Sequence, residues 1–269
     1  MNDKLIYDVG MYDGADTAYY LYRGYSVVAI EASPILAAKA QQRFARAIQQ
    51  GRLTILNIGI SEKSGTTTFW VNQDNDEWSA FDRERASREN TTCYPVSVEC
   101  VPFAKILGEY GVPYYLKMDI EGNDIWCIRA LDPHDLPRFV SVEFHNLECL
   151  CHLYALGYRG FKIVNQNFVW KTSPVARWRF PHGSSGAFGN DTAGAWEPIE
   201  VVTYDLLHEL LGYPRRSSLY DGWYDIHATM EPPSTACLHA RAPLRARRLW
   251  RGWQIIEAFY RRFLYRSSF

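Results

Sequence analysis

The sequence lacks any apolar run approaching the roughly 18 residues that a membrane-spanning helix needs, so no helical span is expected in its 269 residues. Its six cysteines, Cys93, Cys100, Cys127, Cys149, Cys151 and Cys237, show no paired zinc spacing and no rhythm of a secreted disulfide framework. Several lie inside apolar runs, where a free thiol behaves as a small hydrophobe. A reducing, cytoplasmic compartment is expected. Asp3 and Lys4 stand directly before a strand-length apolar run, which does not read as a secretion signal. Internal repeats and low-complexity tracts are absent too. What remains, 47% hydrophobic and 22% charged residues, can bury a sizeable core and suits one domain with insertions better than two full domains.

Acidic and basic residues nearly balance, at a net charge of −1, but their distribution is uneven. Residues 241–269 hold eight arginines against the single Glu257, a local +7 that leaves −8 for the rest of the chain. Leu249, Trp253, Ile256, Tyr260 and Phe263 recur at steps of four and three, which predicts a basic amphipathic helix after a main domain of residues 1–240. Such a helix suits peripheral contact with an anionic membrane surface or an acidic partner. It equally suits packing on the acidic body of its own chain or of a second subunit, as in a homo-oligomer. Nucleic acid is not expected as a partner, because the acidic body would repel phosphates.

The strongest local signal is LIYDVGMYDG at residues 5–14, followed by VVAIE at 27–31. An apolar strand runs into glycines, a helix-compatible segment spans residues 16–21, and a second strand ends in a carboxylate, as in a nucleotide-cofactor cradle. Gly10 and Gly14 let the backbone bend close to a ligand, and Glu31, 21 residues after Gly10, is placed to accept from both ribose hydroxyls. A dinucleotide fingerprint wants a third glycine and leaves the turn open to a pyrophosphate. Here Asp8 and Asp13 would repel a pyrophosphate and favour a cofactor bearing an ammonium group. That disfavours a nicotinamide-dependent oxidoreductase.

Three further apolar runs end in polar groups: residues 52–60 in Asn57, Ile58 and Gly59; 114–122 in Asp119 and Glu121; 139–145 in Glu143 and His145. Ligands of open parallel α/β sheets bind outside such carboxyl ends. Asn57 is expected beside an adenine edge, and Trp78 either covers the adenine or anchors the polar loop of residues 72–90. A sixth strand is predicted at 161–166, a Gly-, Ser- and Trp-rich lid over about 170–200, a helix at 201–211, and a final strand at 223–229.

DVGMYDGADT, VVAIEASP, LNIGISEKSGTTTF and YYLKMDIEGNDIWCIRAL together resemble the successive motifs of the FkbM-type S-adenosylmethionine-dependent methyltransferases, over roughly residues 5–166. The resemblance implies a class I methyltransferase fold, a Rossmann-like, mostly parallel α/β sheet whose last strand is antiparallel, and methyl transfer to a hydroxyl, commonly on a sugar or natural-product scaffold. It assigns Asp8, Gly10 and Gly14 to the S-adenosyl-L-methionine loop, Glu31 to the ribose, Asn57 to the adenine region, and Asp119 and Glu121 to the end of the fourth strand; Asp13, Thr17, Ala32 and Ile58 are further candidates for cofactor contact. Tyr12 stands where the general class I loop has its middle glycine.

An alcohol is a poor nucleophile, so a base must take its proton. Histidine titrates in the right range. His145 is the first candidate and His227 the second, with His182 in the expected lid; Asp119, Glu121 and Glu143 are acidic alternatives. With His145, these acids could also hold a divalent metal such as Mg2+, which nothing in the pattern requires. The reading that follows is an O-methyltransferase acting on a sugar hydroxyl of a glycolipid, polysaccharide or glycosylated natural product. The competing reading is an idle methyltransferase fold serving as an adaptor through its basic tail.

Overall fold

The computed structural model describes residues 1–166, 178–181, 183–210 and 223–233. The predicted C-terminal helix, His182 and part of the expected lid lie outside the described residues.

Strand β1 (Asn2–Val9) runs up the middle of the sheet and turns through Gly10–Gly14 into helix α1 (Ala15–Tyr22). Strand β2 (Ser26–Ile30) follows, then α2 (Pro34–Arg43), α3 (Ala45–Gln49) and β3 (Leu53–Leu56). Ser33 caps α2 by accepting from the Leu36 amide, and Pro34 at the first helical position costs no hydrogen bond there. Next come the short β4 (Gly59–Ile60) and the longer β5 (Gly65–Asn72) and β6 (Cys93–Val101), with α4 (Arg83–Ala86) between the last two. The remaining elements are α5 (Phe103–Tyr110), β7 (Pro113–Met118), α6 (Asp124–Arg129), β8 (Phe139–Glu143), α7 (Leu147–Leu156), β9 (Gly160–Asn165), α8 (Ile199–Leu210) and β10 (Tyr224–Thr229).

Seven strands form one sheet in the order β3-β2-β1-β7-β8-β10-β9. All neighbours are parallel except β10, which inserts antiparallel between β8 and β9. The order reverses between β1 and β7, which opens a crevice at their carboxyl ends. Alternation along the strands builds a core on each face. Tyr7, Val9, Leu116, Met118, Val140 and Val142 meet α5 to α8, while Ile6, Val27, Ala29, Tyr115 and Phe139 meet α1 to α3.

The structure corrects one reading of the sequence. Residues 52–60 are not one strand: Asn57 Nδ2 donates back to the carbonyls of Glu31 and Ala32 (2.8 and 3.2 Å). That brace ends pairing with β2, and Gly59–Ile60 leaves to join a separate three-stranded sheet, β4-β6-β5. Within the span expected to form a lid, the described residues pack on α1 and the sheet. Phe188 stacks on Tyr115 at 4.2 Å, Phe180 packs on Tyr19 at 4.7 Å, and the Ser185 and Gly186 amides donate to buried Asp16. Aromatic burial ties this segment down as a strap over α1.

Candidate active site

The carboxyl ends of β1, β2 and β7 open into a cavity of about 320 Å³. Its floor is the turn after β1. Gly10 sits at φ 81° and Tyr12 at φ 49°, so the chain curls through left-handed positions and presents its backbone to the cavity. A Cβ on Gly10 would lie 1.9 Å from the Asp119 carbonyl oxygen, so only glycine lets the ends of β1 and β7 come this close. Tyr12 is held at both ends: its amide donates to Glu31 Oε2 (3.0 Å) and its hydroxyl to Asp76 Oδ1 (2.8 Å). It thereby joins the turn to the segment preceding α4.

Glu31 stands buried at the tip of β2, its Oε1 accepting from the Ser33 amide at 2.7 Å. Each oxygen keeps lone-pair capacity toward the cavity, enough for a vicinal diol. Burial pushes its carboxyl up to about 7, against the two amide hydrogen bonds and Lys117. Beyond it Ile58, Ile60, Phe69 and Phe81 make an apolar slot, with Trp78 and Arg88 at its side. The Arg88 guanidinium lies 4.7 Å from the Trp78 ring centre, a cation–π contact.

Lys117 is the buried cation of the site. Its ammonium donates to the Gly10 carbonyl (2.6 Å) and lies 3.3 Å from Asp8 Oδ1 and 3.8 Å from Asp119 Oδ2. Burial alone would lower its pKa; Asp8, Asp119 and Asp16 outweigh that and raise it. Asp8 also accepts from Thr17 Oγ1 at 2.6 Å. Asp16 is raised to about 6 by burial, against Lys117.

At the far wall, Glu121 is clamped by Arg85 Nε (2.7 Å) and Arg88 Nη2 (2.8 Å). Glu143 Oε2 lies 2.8 Å from His145 Nε2, and Arg85 Nη2 is within 3.0 Å of both His145 ring nitrogens. Burial lowers the His145 pKa, but Glu143 more than compensates and raises it. Glu121, Glu143 and His145 present ligand atoms within 4.8 Å of one another. The set does not fit a divalent ion, because Arg85 and Arg88 already neutralise Glu121 and would face the dication. This is an ion-pair network.

Of the residues singled out in the sequence, Gly10, Asp13, Glu31, Ala32, Ile58, Asp119 and Glu121 line the cavity. Asp8, Gly14 and Thr17 stand behind it, supporting the turn. Asn57 is a brace with its amide nitrogen spent on Glu31 and Ala32, which corrects its expected place at an adenine edge. His145 stands behind Glu143 and outside the lining, so it orients that carboxylate. His227 is corrected more strongly: it is buried beside Ser141 and Lys162 in the sheet, and burial pushes its pKa down to about 3. Lys117 and Trp223 were missed as lining residues; lysine in a strand interior was the available signal for the first.

The raised carboxyls fix a pH dependence. Asp16, Glu31, Asp119, Asp124 and Asp225 are all pushed above the usual range by burial, so the folded chain binds protons that the unfolded chain has released. Their stabilising contribution is complete below the ordinary carboxylate range and is lost as pH rises through the folded-state values, about 6 for Asp16 and about 7 for Glu31. Buried neutral His227 and His152 work in the opposite sense but are fewer. The Tm of the ligand-free protein is therefore expected to fall as pH rises across this window; a flat or rising Tm in calorimetry would contradict these protonation states.

The sequence matches the family model for the Methyltransferase FkbM domain over residues 8–152. No curated protein matches it. Among solved structures, it resembles methyltransferase FkbM from Methylobacillus flagellatus KT at 18% identity and a TM-score of 0.41, covering 60% of this chain and 40% of that one. Precorrin-6y C5,15-methyltransferase from Geobacter metallireducens GS-15 gives 11% identity and a TM-score of 0.38 over 86% and 82% of the two chains. A SAM-dependent methyltransferase from Geobacter sulfurreducens, in complex with S-adenosyl-L-homocysteine, gives 12% and 0.34 over 86% and 85%.

Proposed function

The chain belongs to the FkbM methyltransferase family, and from that premise we propose that it transfers the methyl group of S-adenosylmethionine to a hydroxyl on a sugar moiety of a glycolipid, polysaccharide or glycosylated natural product. The observation that carries the cofactor is the buried Glu31 carboxylate at the tip of β2, facing a cavity whose floor is the glycine turn. The cofactor supplies an electrophilic methyl group on a sulfonium.

Glu31 accepts from the ribose hydroxyls, the slot of Ile58, Ile60, Phe69 and Phe81 takes the adenine, and Asp13 with the exposed turn backbone receives the methionine end. Lys117 holds the Gly10 carbonyl and so fixes the turn before any ligand arrives. The acceptor hydroxyl meets Asp119 and Glu143, the carboxylates of the inner wall, and one of them takes its proton. His145 positions Glu143. Burial raises the Asp119 carboxyl pKa, which makes its ionised form a stronger base toward an alcohol proton than an exposed carboxylate. Trp223, whose Nε1 has no hydrogen-bond partner among the described residues, lines the same cavity and offers a donor and an aromatic face to a sugar.

Glu31→Ala removes two charge-assisted hydrogen bonds to the ribose, each worth about 1.5–3 kcal/mol when made to a charged group. Affinity for S-adenosylhomocysteine is expected to fall at least about tenfold; unchanged affinity in calorimetry would remove the ribose assignment. The acceptor class is tested by incubating the protein with methyl-labelled S-adenosylmethionine and a panel of free and lipid-linked sugars. Label in an alkali-stable ether supports the reading. Label appearing only in amine or carboxyl acceptors overturns it.

A further inference from the structure

Asp225 has no place in the site as described so far. It is fully buried on β10, and neither carboxylate oxygen has a hydrogen-bond partner among the described residues. In the antiparallel ladder it stands directly opposite Glu143, and directly opposed side chains project from the same face of a sheet with Cβ atoms about 5 Å apart. Glu143 lines the cavity together with Asp119, from the end of neighbouring β7. Three carboxyl groups thus converge on the inner wall, one of them sealed behind the other two.

The charges facing them do not balance the group. Lys117 is nearest, and it is already engaged by Asp8 as well as Asp119. Asp16 on α1 and Asp124 on α6 add negative potential. His145 touches Glu143, but Arg85 and Arg88 are committed to Glu121. Like charges so close in a water-poor wall cannot all ionise, and burial with mutual repulsion pushes the Asp119 and Asp225 carboxyls well above the usual range.

We propose that Asp119, Glu143 and Asp225 form a carboxyl cluster that stores the proton released by methyl transfer, so that its proton content follows the charge on the sulfur of the bound methyl donor. This rests on the methyltransferase reading. The bookkeeping closes: the acceptor O–H bond breaks as its oxygen bonds the methyl carbon, the electron pair of the S–CH3 bond stays on sulfur, and the proton goes to the cluster. Sulfur loses one positive charge while the cluster loses one negative charge. The buried region keeps its net charge, and no uncompensated charge is left away from water. Asp225 acts through Glu143 and is a positioning residue for that proton.

The test needs no acceptor. S-adenosylmethionine and S-adenosylhomocysteine are titrated calorimetrically into the full chain near neutral pH, in buffers of low and high ionisation enthalpy, to count the protons exchanged by each. The thioether is expected to take up a larger fraction of a proton than the sulfonium, a difference approaching about one proton, and Asp225→Asn is expected to remove at least about half of it while both ligands still bind. Glu143→Gln serves as a second variant with the same expectation. Equal proton counts for the two ligands in the unmodified protein, or a difference that survives both substitutions, overturns the proposal. Binding of neither ligand is a different failure, since it overturns the methyltransferase reading itself.

Discussion

Gly10→Ala is expected to abolish binding of S-adenosylhomocysteine and to destabilise the protein by several kcal/mol. The left-handed backbone at φ 81° costs a non-glycine residue about 1–2 kcal/mol by itself. The larger effect is steric. The new methyl group would lie 1.9 Å from the Asp119 carbonyl oxygen, and a backbone oxygen cannot swing aside as a side chain would. Relief comes only by parting the ends of β1 and β7, which breaks the Asp119 amide bond to the Val9 carbonyl and the Lys117 contact with Gly10. Gly24→Ala is the control: that residue has φ 85° as well, but open space around the added carbon. It should cost only the backbone term and leave ligand binding intact. If Gly10→Ala bound as well as Gly24→Ala, the close approach of the two strands would not exist.

Lys117→Met is expected to be nearly as damaging, through charge. Its side chain is 4% exposed, and its partner Asp8 is completely buried. Removing one member of a buried pair strands the other, at a cost of about 3–5 kcal/mol. Methionine keeps most of the volume, so packing is not the cause. Adding Asp8→Asn should recover part of the loss, because the carboxylate no longer needs a counter-charge. In urea denaturation, the double variant is expected to be less destabilised than the sum of the singles by roughly 1–3 kcal/mol. Simple additivity would show that Lys117 and Asp8 do not depend on each other.

How much of this was legible in the sequence depends on the range of the contacts involved. The five strands that pair parallel, β3, β2, β1, β7 and β8, carry local signals, β-branched runs ending at glycines, amides and acids. Glu31 could be found because its distance from Gly10 is a property of one strand-helix-strand unit. The small sheet could not: β4 is two residues long, and β5 and β6 find each other across a loop organised by Asn72, which donates to the Ala86 carbonyl and the Thr91 hydroxyl and accepts from the amides of Asp74 and Asn75. That loop delivers Asp76, Trp78 and Phe81 to the cavity. Of these, Trp78 alone stands out in the sequence as a residue that could cover the adenine.

The histidines illustrate the same limit. His227 was rightly placed on the last strand, but which face a strand residue takes is decided by register with β8 and β9, and the register turns it toward Ser141 and Lys162. Two positions earlier, Asp225 shares that face at the cavity end of the strand, and no local pattern singles it out. Asn57 was an ordinary strand-end amide until its hydrogen bonds showed it tying residues 57–58 back to the tip of β2. In the Gly-, Ser- and Trp-rich span, composition does not show that Phe180 and Phe188 anchor the described residues on Tyr19 and Tyr115.

The central claim is that this cavity binds the S-adenosyl group through Glu31. Calorimetric titration of the full chain with S-adenosylhomocysteine, with NADH in parallel and Glu31→Ala as the comparison, tests it directly. Saturable binding of S-adenosylhomocysteine, none of NADH, and a clear loss of affinity in Glu31→Ala are expected. Binding of NADH in place of S-adenosylhomocysteine, or of neither, would contradict it.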